Sequence, residues 1–162
     1  EKSNTTANAI VKLSGMMRYV ISESETDFLS LEKEVNYIKD YIELQKIRLE
    51  NTVDLTFNVE GNVTGKRIAP FLLVHFIENA FKHGVNAEAD SDIHIQLTTS
   101  GKQLILEVRN RKVPLDRPLH EPSGLGIENT RARLQLIYPD RHRLQISDLD
   151  QEFIVHLEIE LV

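Results

Sequence analysis

Apolar positions recur at helical spacing through residue 49 and mostly in strand-like alternation from residue 53, so the chain reads as two parts that meet near residue 52. Ile10, Leu13, Met17 and Val20 step by three, four and three, the stripe of an amphipathic helix. Gly15 weakens that helix by about 1 kcal/mol relative to alanine. After the polar segment 22–27, Ser30 is placed to accept from a free N–H of a first turn, which predicts a second helix from Leu31. Lys33 at its third position excludes a reciprocal capping box, while Glu32 and Glu34 put negative charge near the positive end of the helix dipole. Leu31, Val35, Ile38, Ile42 and Leu49, with Gln45 in the remaining slot, step by four and three as a coiled-coil seam does. Two such helices predict an antiparallel hairpin with little core of its own, which packs on the rest of the chain or on a second copy.

Beyond the hairpin, Val53, Leu55, Phe57 and Val59 alternate with polar residues. So do Ile93, Ile95 and Leu97, then Leu104, Leu106 and Val108, and finally Phe153, Val155, Leu157, Ile159 and Leu161. These are half-buried strands of an antiparallel or mixed sheet. Between them the pattern predicts one helix over 71–83, opened by Pro70 and closed by Gly84. It predicts another over 127–138, stopped by Pro139. Residues 111–123 hold Pro114, Pro118 and Pro122 among mixed charges, the composition of a long mobile loop or lid.

Composition narrows the class. The chain has 162 residues, a net charge of −6, 41% hydrophobic and 27% charged residues, which is ordinary globular composition rather than disorder. No apolar run reaches the roughly 18 to 20 residues of a bilayer span, and no charged-then-apolar leader opens the chain. The absence of cysteine excludes disulfides, thiolate chemistry and cysteine-ligated zinc. The acidic balance argues against sequence-independent nucleic-acid binding, which needs a clustered positive surface. Residue 1 is Glu, so a longer protein is expected around this stretch.

The helix around Asn79 concentrates polar chemistry on one side. At about 100° per residue, with His75 at zero, Glu78 falls at about 300°, Lys82 at about 340°, Asn79 at about 40° and His83 at about 80°. Apolar residues fill the opposite arc, and only Phe71 and Leu72 stray from it. The polar arc is a binding face or an ordinary solvated one. A second constellation is Gly124-Leu125-Gly126, directly before a helix with Asn129, Arg131 and Arg133. Glycines there let backbone N–H groups approach a phosphate at a helix N-terminus, although Gly-x-Gly also serves as a plain loop-to-helix connection.

Taken in order, residues 31–49 (LEKEVNYIKDYIELQKIRL), 69–84 (APFLLVHFIENAFKHG) and 124–134 (GLGIENTRARL) resemble the signatures of LytS-type sensor histidine kinases. Their ATP-binding domain belongs to the GHKL superfamily. The resemblance implies a Bergerat-type two-layer α/β sandwich over 52–162, preceded by a helical hairpin over 1–51 that is part of the dimerisation region. It further implies ATP and Mg²⁺ as ligands. Asn79 would coordinate the metal, Lys82 and His83 would face the phosphates, and Glu78 would orient a water or polarise the attacking group. Gly124 and Gly126 would hinge the lid, with Asn129 and Arg133 behind it. The implied partners are a second copy through the hairpin and a cognate response regulator, with no nucleic acid. The implied location is the cytoplasmic side of a membrane-anchored bacterial kinase, any membrane contact lying in segments upstream.

Two departures stand out. Asn110 occupies the place of the superfamily's adenine-binding aspartate, and the glycine two residues later is replaced by Lys112, which bears on adenine more than on phosphate. None of His75, His83, His94, His120, His142 and His156 lies in the family's Pro-His-Phe acceptor context, so the phospho-accepting histidine is expected upstream. The rival readings are a catalytically degenerate nucleotide-binding scaffold and a non-enzymatic helical interaction module.

Overall fold

The Ser30 cap forms as its position demands. In the computed structural model, which describes residues 2–50, 52–86, 90–113 and 125–162, helix α1 (Lys2–Glu23) is followed by α2 (Leu31–Arg48). The Ser30 hydroxyl accepts from the Lys33 N–H at 3.3 Å. Leu31, Val35, Ile38 and Ile42 of the seam are buried in one cluster with the sheet and the later helices. Each fully buried aliphatic side chain is worth about 1.5–3 kcal/mol, so the seam anchors α2 to the body.

α1 is attached differently. Lys12 reaches Asp40 at 3.0 Å and Glu43 at 2.6 Å, and Tyr19 stacks on Tyr37 with ring centroids 4.7 Å apart. The predicted stripe Ile10, Leu13, Met17 and Val20 remains exposed, together with Val11 and Ile21. It is not the face that α1 turns toward α2.

Two short strands, β1 (Leu29–Ser30) and β3 (Arg67–Ile68), pair antiparallel beside the hairpin. The main sheet contains β2 (Val53–Glu60), β4 (Ser91–Ser100), β5 (Gln103–Arg111), β6 (His142–Asp148) and β7 (Glu152–Glu160) in the order β2-β4-β5-β7-β6. It is mixed: β2 runs parallel to β4 and the remaining pairs are antiparallel. A parallel neighbour requires a crossover, which contains helix α3 (Val74–Gly84). Strand β6 has no counterpart in the predicted strands. Its only aliphatics are Leu144 and Ile146, and it lies at the edge, where one partner suffices.

Inward residues of the central strands, such as Ile95, Leu106 and Leu157, pack with Phe76, Ile77 and Phe81 of α3 and with Leu134 of α4 (Leu125–Ile137). The result is the expected two-layer α/β sandwich with a helical hairpin at its N-terminal end.

The start and end of α3 differ from expectation. Residues 71–73 form a turn, and Phe71 has φ +58°, outside the helical region. Pro70 therefore does not open the helix. Gly84 is the last helical residue rather than a left-handed cap beyond it. A Cβ there would lie 2.8 Å from Cβ of Asn110, so close packing rather than backbone freedom requires the glycine.

Candidate active site

The polar arc of α3 lies beside the start of α4, with His75 and Lys82 still exposed to solvent. Together the two helices line a cleft of about 350 Å³, with His75, Glu78, Asn79, Lys82 and His83 on one side and Gly126, Ile127, Asn129, Thr130 and Arg133 on the other. Segments separated by more than forty residues thus meet, because the apolar arcs of both helices are drawn onto the same sheet. The start of α4 opens into this cleft, and a helix N-terminus offers unpaired N–H donors and a positive dipole end.

The electrostatics suit an anion. Lys82 and Arg133 supply two positive charges among the lining residues. The ring of His75 keeps solvent contact, but the protein crowding it, and then the Arg133 charge, lower its pKa. Burial, followed by the Lys82 charge, lowers that of His83. Both imidazoles are thereby shifted toward the neutral form until an anion arrives. Burial raises the pKa of Glu78, the only carboxylate lining the cleft among the described residues.

Of the residues singled out from sequence, Glu78, Asn79, Lys82, His83, Gly126, Asn129 and Arg133 share this cleft. Asn110 does not line it. Its side chain is buried against Gly84 at the end of α3, and its Nδ2 donates to the Arg111 carbonyl at 3.1 Å. Gly124 and most of the expected lid, residues 114–123, lie outside the described residues. Thr130 was not anticipated as part of the site. Its signal was present in the spacing: Gly126, Asn129, Thr130 and Arg133 follow the steps of one helix face.

Among the described residues the remaining histidines have structural partners, and His120 lies outside them. His94 Nδ1 bonds Thr56 Oγ1 at 2.7 Å, His142 Nδ1 lies 2.7 Å from the Tyr138 carbonyl, and His156 lies 3.0 Å from Glu158. Among the described residues no group of three or more His, Cys, Asp or Glu could hold a metal ion. Nor is any helix of the described residues long and apolar enough to cross a membrane.

Comparison with known proteins gives a consistent picture. A family model described as histidine kinase matches residues 1–53. The sensor histidine kinase BtsS of Escherichia coli K12 is 24% identical over 123 residues, covering 75% of this chain and 22% of the relative. The sensor protein LytS of Staphylococcus saprophyticus is 24% identical over 149 residues, covering 85% and 25%. The sensor protein kinase HptS of Staphylococcus aureus USA300 is 26% identical over 165 residues, covering 94% and 32%. The chain therefore spans roughly a quarter to a third of the length of the curated relatives it matches. Among solved structures, the nucleotide-free catalytic domain of histidine kinase ThkA superposes with TM-score 0.56 at 14% identity, over 82% of this chain and 94% of that one. A complex of ThkA with the response regulator TrrA gives TM-score 0.55 at 14% identity, over 96% and 49%. The chain is thus similar to sensor histidine kinases, LytS and HptS among them, and its α/β sandwich has the fold of histidine kinase catalytic domains.

Proposed function

We propose that the cleft between α3 and α4 binds ATP, and that this chain is the catalytic portion of a sensor histidine kinase whose accepting histidine lies upstream of this stretch. The observation that carries the reading is the convergence of Asn79, Lys82, His83 and Arg133 with the start of α4 in one cleft. Lys82 and Arg133 would neutralise phosphate oxygens, and N–H groups at the start of α4 would donate to them. In the transfer, an imidazole nitrogen of the acceptor forms a bond to the γ-phosphorus while the bond to the bridging oxygen breaks. ADP leaves with that electron pair, and the acceptor's N–H proton passes to a base. Glu78, whose pKa burial raises, would take that proton.

The donor set fits a divalent cation that arrives with the nucleotide. Asn79 offers one side-chain oxygen, so the remaining ligands would be phosphate and water oxygens, as a hard cation prefers. When bound, Mg²⁺ would neutralise charge on the transferring phosphoryl group. Adenine is assigned to the Asn110 end of α3. With Nδ2 spent on the Arg111 carbonyl, the Asn110 side-chain oxygen remains as an acceptor for the adenine amino group.

The hairpin is assigned to a homodimer interface, and a response regulator is the downstream partner, as TrrA is for ThkA in their complex. A membrane anchor, if the whole protein carries one, would belong to upstream segments. The replacement of aspartate by Asn110 favours one alternative, a nucleotide-binding scaffold without catalysis. Labelled ATP separates the two. This chain alone should remain unlabelled, and a longer polypeptide including the upstream helix should acquire acid-labile label on histidine. A longer polypeptide that binds ATP without acquiring label would establish the scaffold instead.

A further inference from the structure

Helix α3 has no cap from the side chain that flanks it. Leu73, at the cap position, makes no side-chain bond to the first turn and has helical rather than extended backbone. Backbone donors at and just before the start of the helix are met instead by Glu34 of α2. Its Oε2 accepts from the Phe71 N–H at 3.1 Å and its Oε1 from the Leu73 N–H at 3.2 Å, and the Val74 N–H is directed at the same carboxylate. Glu34 is fully buried, and the hydroxyl of Tyr19 on α1 donates to Oε2 at 2.6 Å. Burial pushes the Glu34 pKa up, and these donors oppose the shift by stabilising the charged form. Burial and then the Glu34 charge push the Tyr19 phenol up as well, so it is held as a donor.

The network closes on a strained residue. Phe71 holds φ +58°, a conformation L side chains rarely adopt. Its ring lies edge-on to Tyr19 at 5.1 Å and to Tyr37 at 5.7 Å between centroids. The local sequence favours a helix from residue 71, with Pro70 at the first position, whereas the hairpin holds 71–73 outside the helix. Local sequence and tertiary contact therefore favour different starts for α3, and the fold takes the one set by tertiary contact.

The geometry points to Tyr19 and Glu34 as positioning residues that make the placement of the nucleotide-site helix depend on how α1 sits against α2. This rests on the reading of the cleft as an ATP site. When α1 shifts and the Tyr19 hydroxyl leaves Glu34, the carboxylate loses a donor and Phe71 loses one wall of its box. Residues 71–73 then relax toward the helical start, and α3 reorients together with Glu78, Asn79, Lys82 and His83. Packed junctions of this kind switch between discrete arrangements rather than deform continuously. Binding free energies couple reciprocally, so a ligand in the cleft must also be felt at Tyr19.

The test uses the full chain, a non-hydrolysable ATP analogue with Mg²⁺, and 3-fluorotyrosine at the four tyrosines. The Tyr19 fluorine resonance is assigned as the one missing in Tyr19→Phe. The expected result is that folded Tyr19→Phe binds the analogue about fivefold or more weakly, and that the wild-type Tyr19 resonance moves when the analogue is added. Glu34→Gln should weaken binding too, because its amide turns an NH₂ toward backbone donors. Unchanged affinity in folded Tyr19→Phe, or a Tyr19 resonance that ignores the analogue, overturns the coupling and leaves the site intact. Wild-type protein that binds no analogue overturns the ATP site, and the coupling with it.

Discussion

His75 on α3 and Thr130 on α4 meet across the cleft, Nδ1 to Oγ1 at 3.3 Å, and the Thr130 hydroxyl in turn donates to the Gly126 carbonyl at 2.8 Å. Since the hydroxyl proton is committed to Gly126, His75 is the donor, which places its proton on Nδ1 when the ring is neutral. The bond ties the two walls of the cleft together. Thr130→Val retains the shape and removes the acceptor. It should lower stability by about 1 kcal/mol and weaken ATP binding, measured by denaturant unfolding and calorimetry. Equal nucleotide affinity in the variant would show that the walls are held by core packing alone.

Asn79 and Glu78 are the side-chain oxygens of α3 that line the cleft, and they point about 100° apart around the helix. Asn79→Ala should therefore lose the Mg²⁺-dependent part of ATP affinity, at least about tenfold or about 1.4 kcal/mol. Its melting temperature should stay within about 2 °C of wild type, since surface changes of this kind rarely exceed about 0.5 kcal/mol. A titration showing the same gain from Mg²⁺ in both proteins would remove Asn79 from the metal site.

The lowered pKa values of His75 and His83 set a direction for pH. Below the unfolded-state value of about 6.5, the unfolded chain binds more protons than the folded one. The contribution of these residues is therefore complete above that pH and is lost as pH falls through their folded values. Glu34 and Glu78, with raised pKa values, act in the opposite sense. Comparing wild type with His83→Gln isolates the imidazole: the wild type should lose more stability than the variant between about pH 7 and 5.5. Triphosphate in the cleft should raise both histidine pKa values, so binding near pH 6 should take up protons. Calorimetry in buffers of different ionisation enthalpy reads that uptake, and proton release would contradict the assignment.

Gly84 lets Asn110, the residue proposed to hold adenine, pack closely against the end of α3 by its lack of a side chain. Its missing Cβ would fall 2.8 Å from Cβ of Asn110 and 3.0 Å from its Nδ2, so Gly84→Ala must displace a buried strand residue. Overpacking of this kind costs about 1–3 kcal/mol, and urea unfolding should show it. This variant should discriminate less well between ATP and nucleotides with altered bases, while triphosphate binding persists. A variant as stable as wild type would mean that the end of α3 moves freely away from β5.

What the sequence determined by itself are the features written in near-neighbour spacing. The Ser30 cap, the seam from Leu31 to Ile42, four of the strands and the polar arc of α3 each follow from a period of 3.6 or 2 and from the chemistry of one side chain. The seven cleft residues named from sequence follow from such arcs and from a resemblance carried by ordered motifs. Tertiary structure alone decided which arcs meet. Thr130 joins the site because α4 lies beside α3. Strand β6 forms because β7 offers it an edge, although its own alternation is short. The clearest case is Glu34. Read locally it is an acid in the first turn of α2, and in the fold it caps the next helix, holding Phe71 where local propensity would not. Spacing fixes the side of an element on which a residue lies, but burial of a charge is settled by the donors that the rest of the chain brings to it.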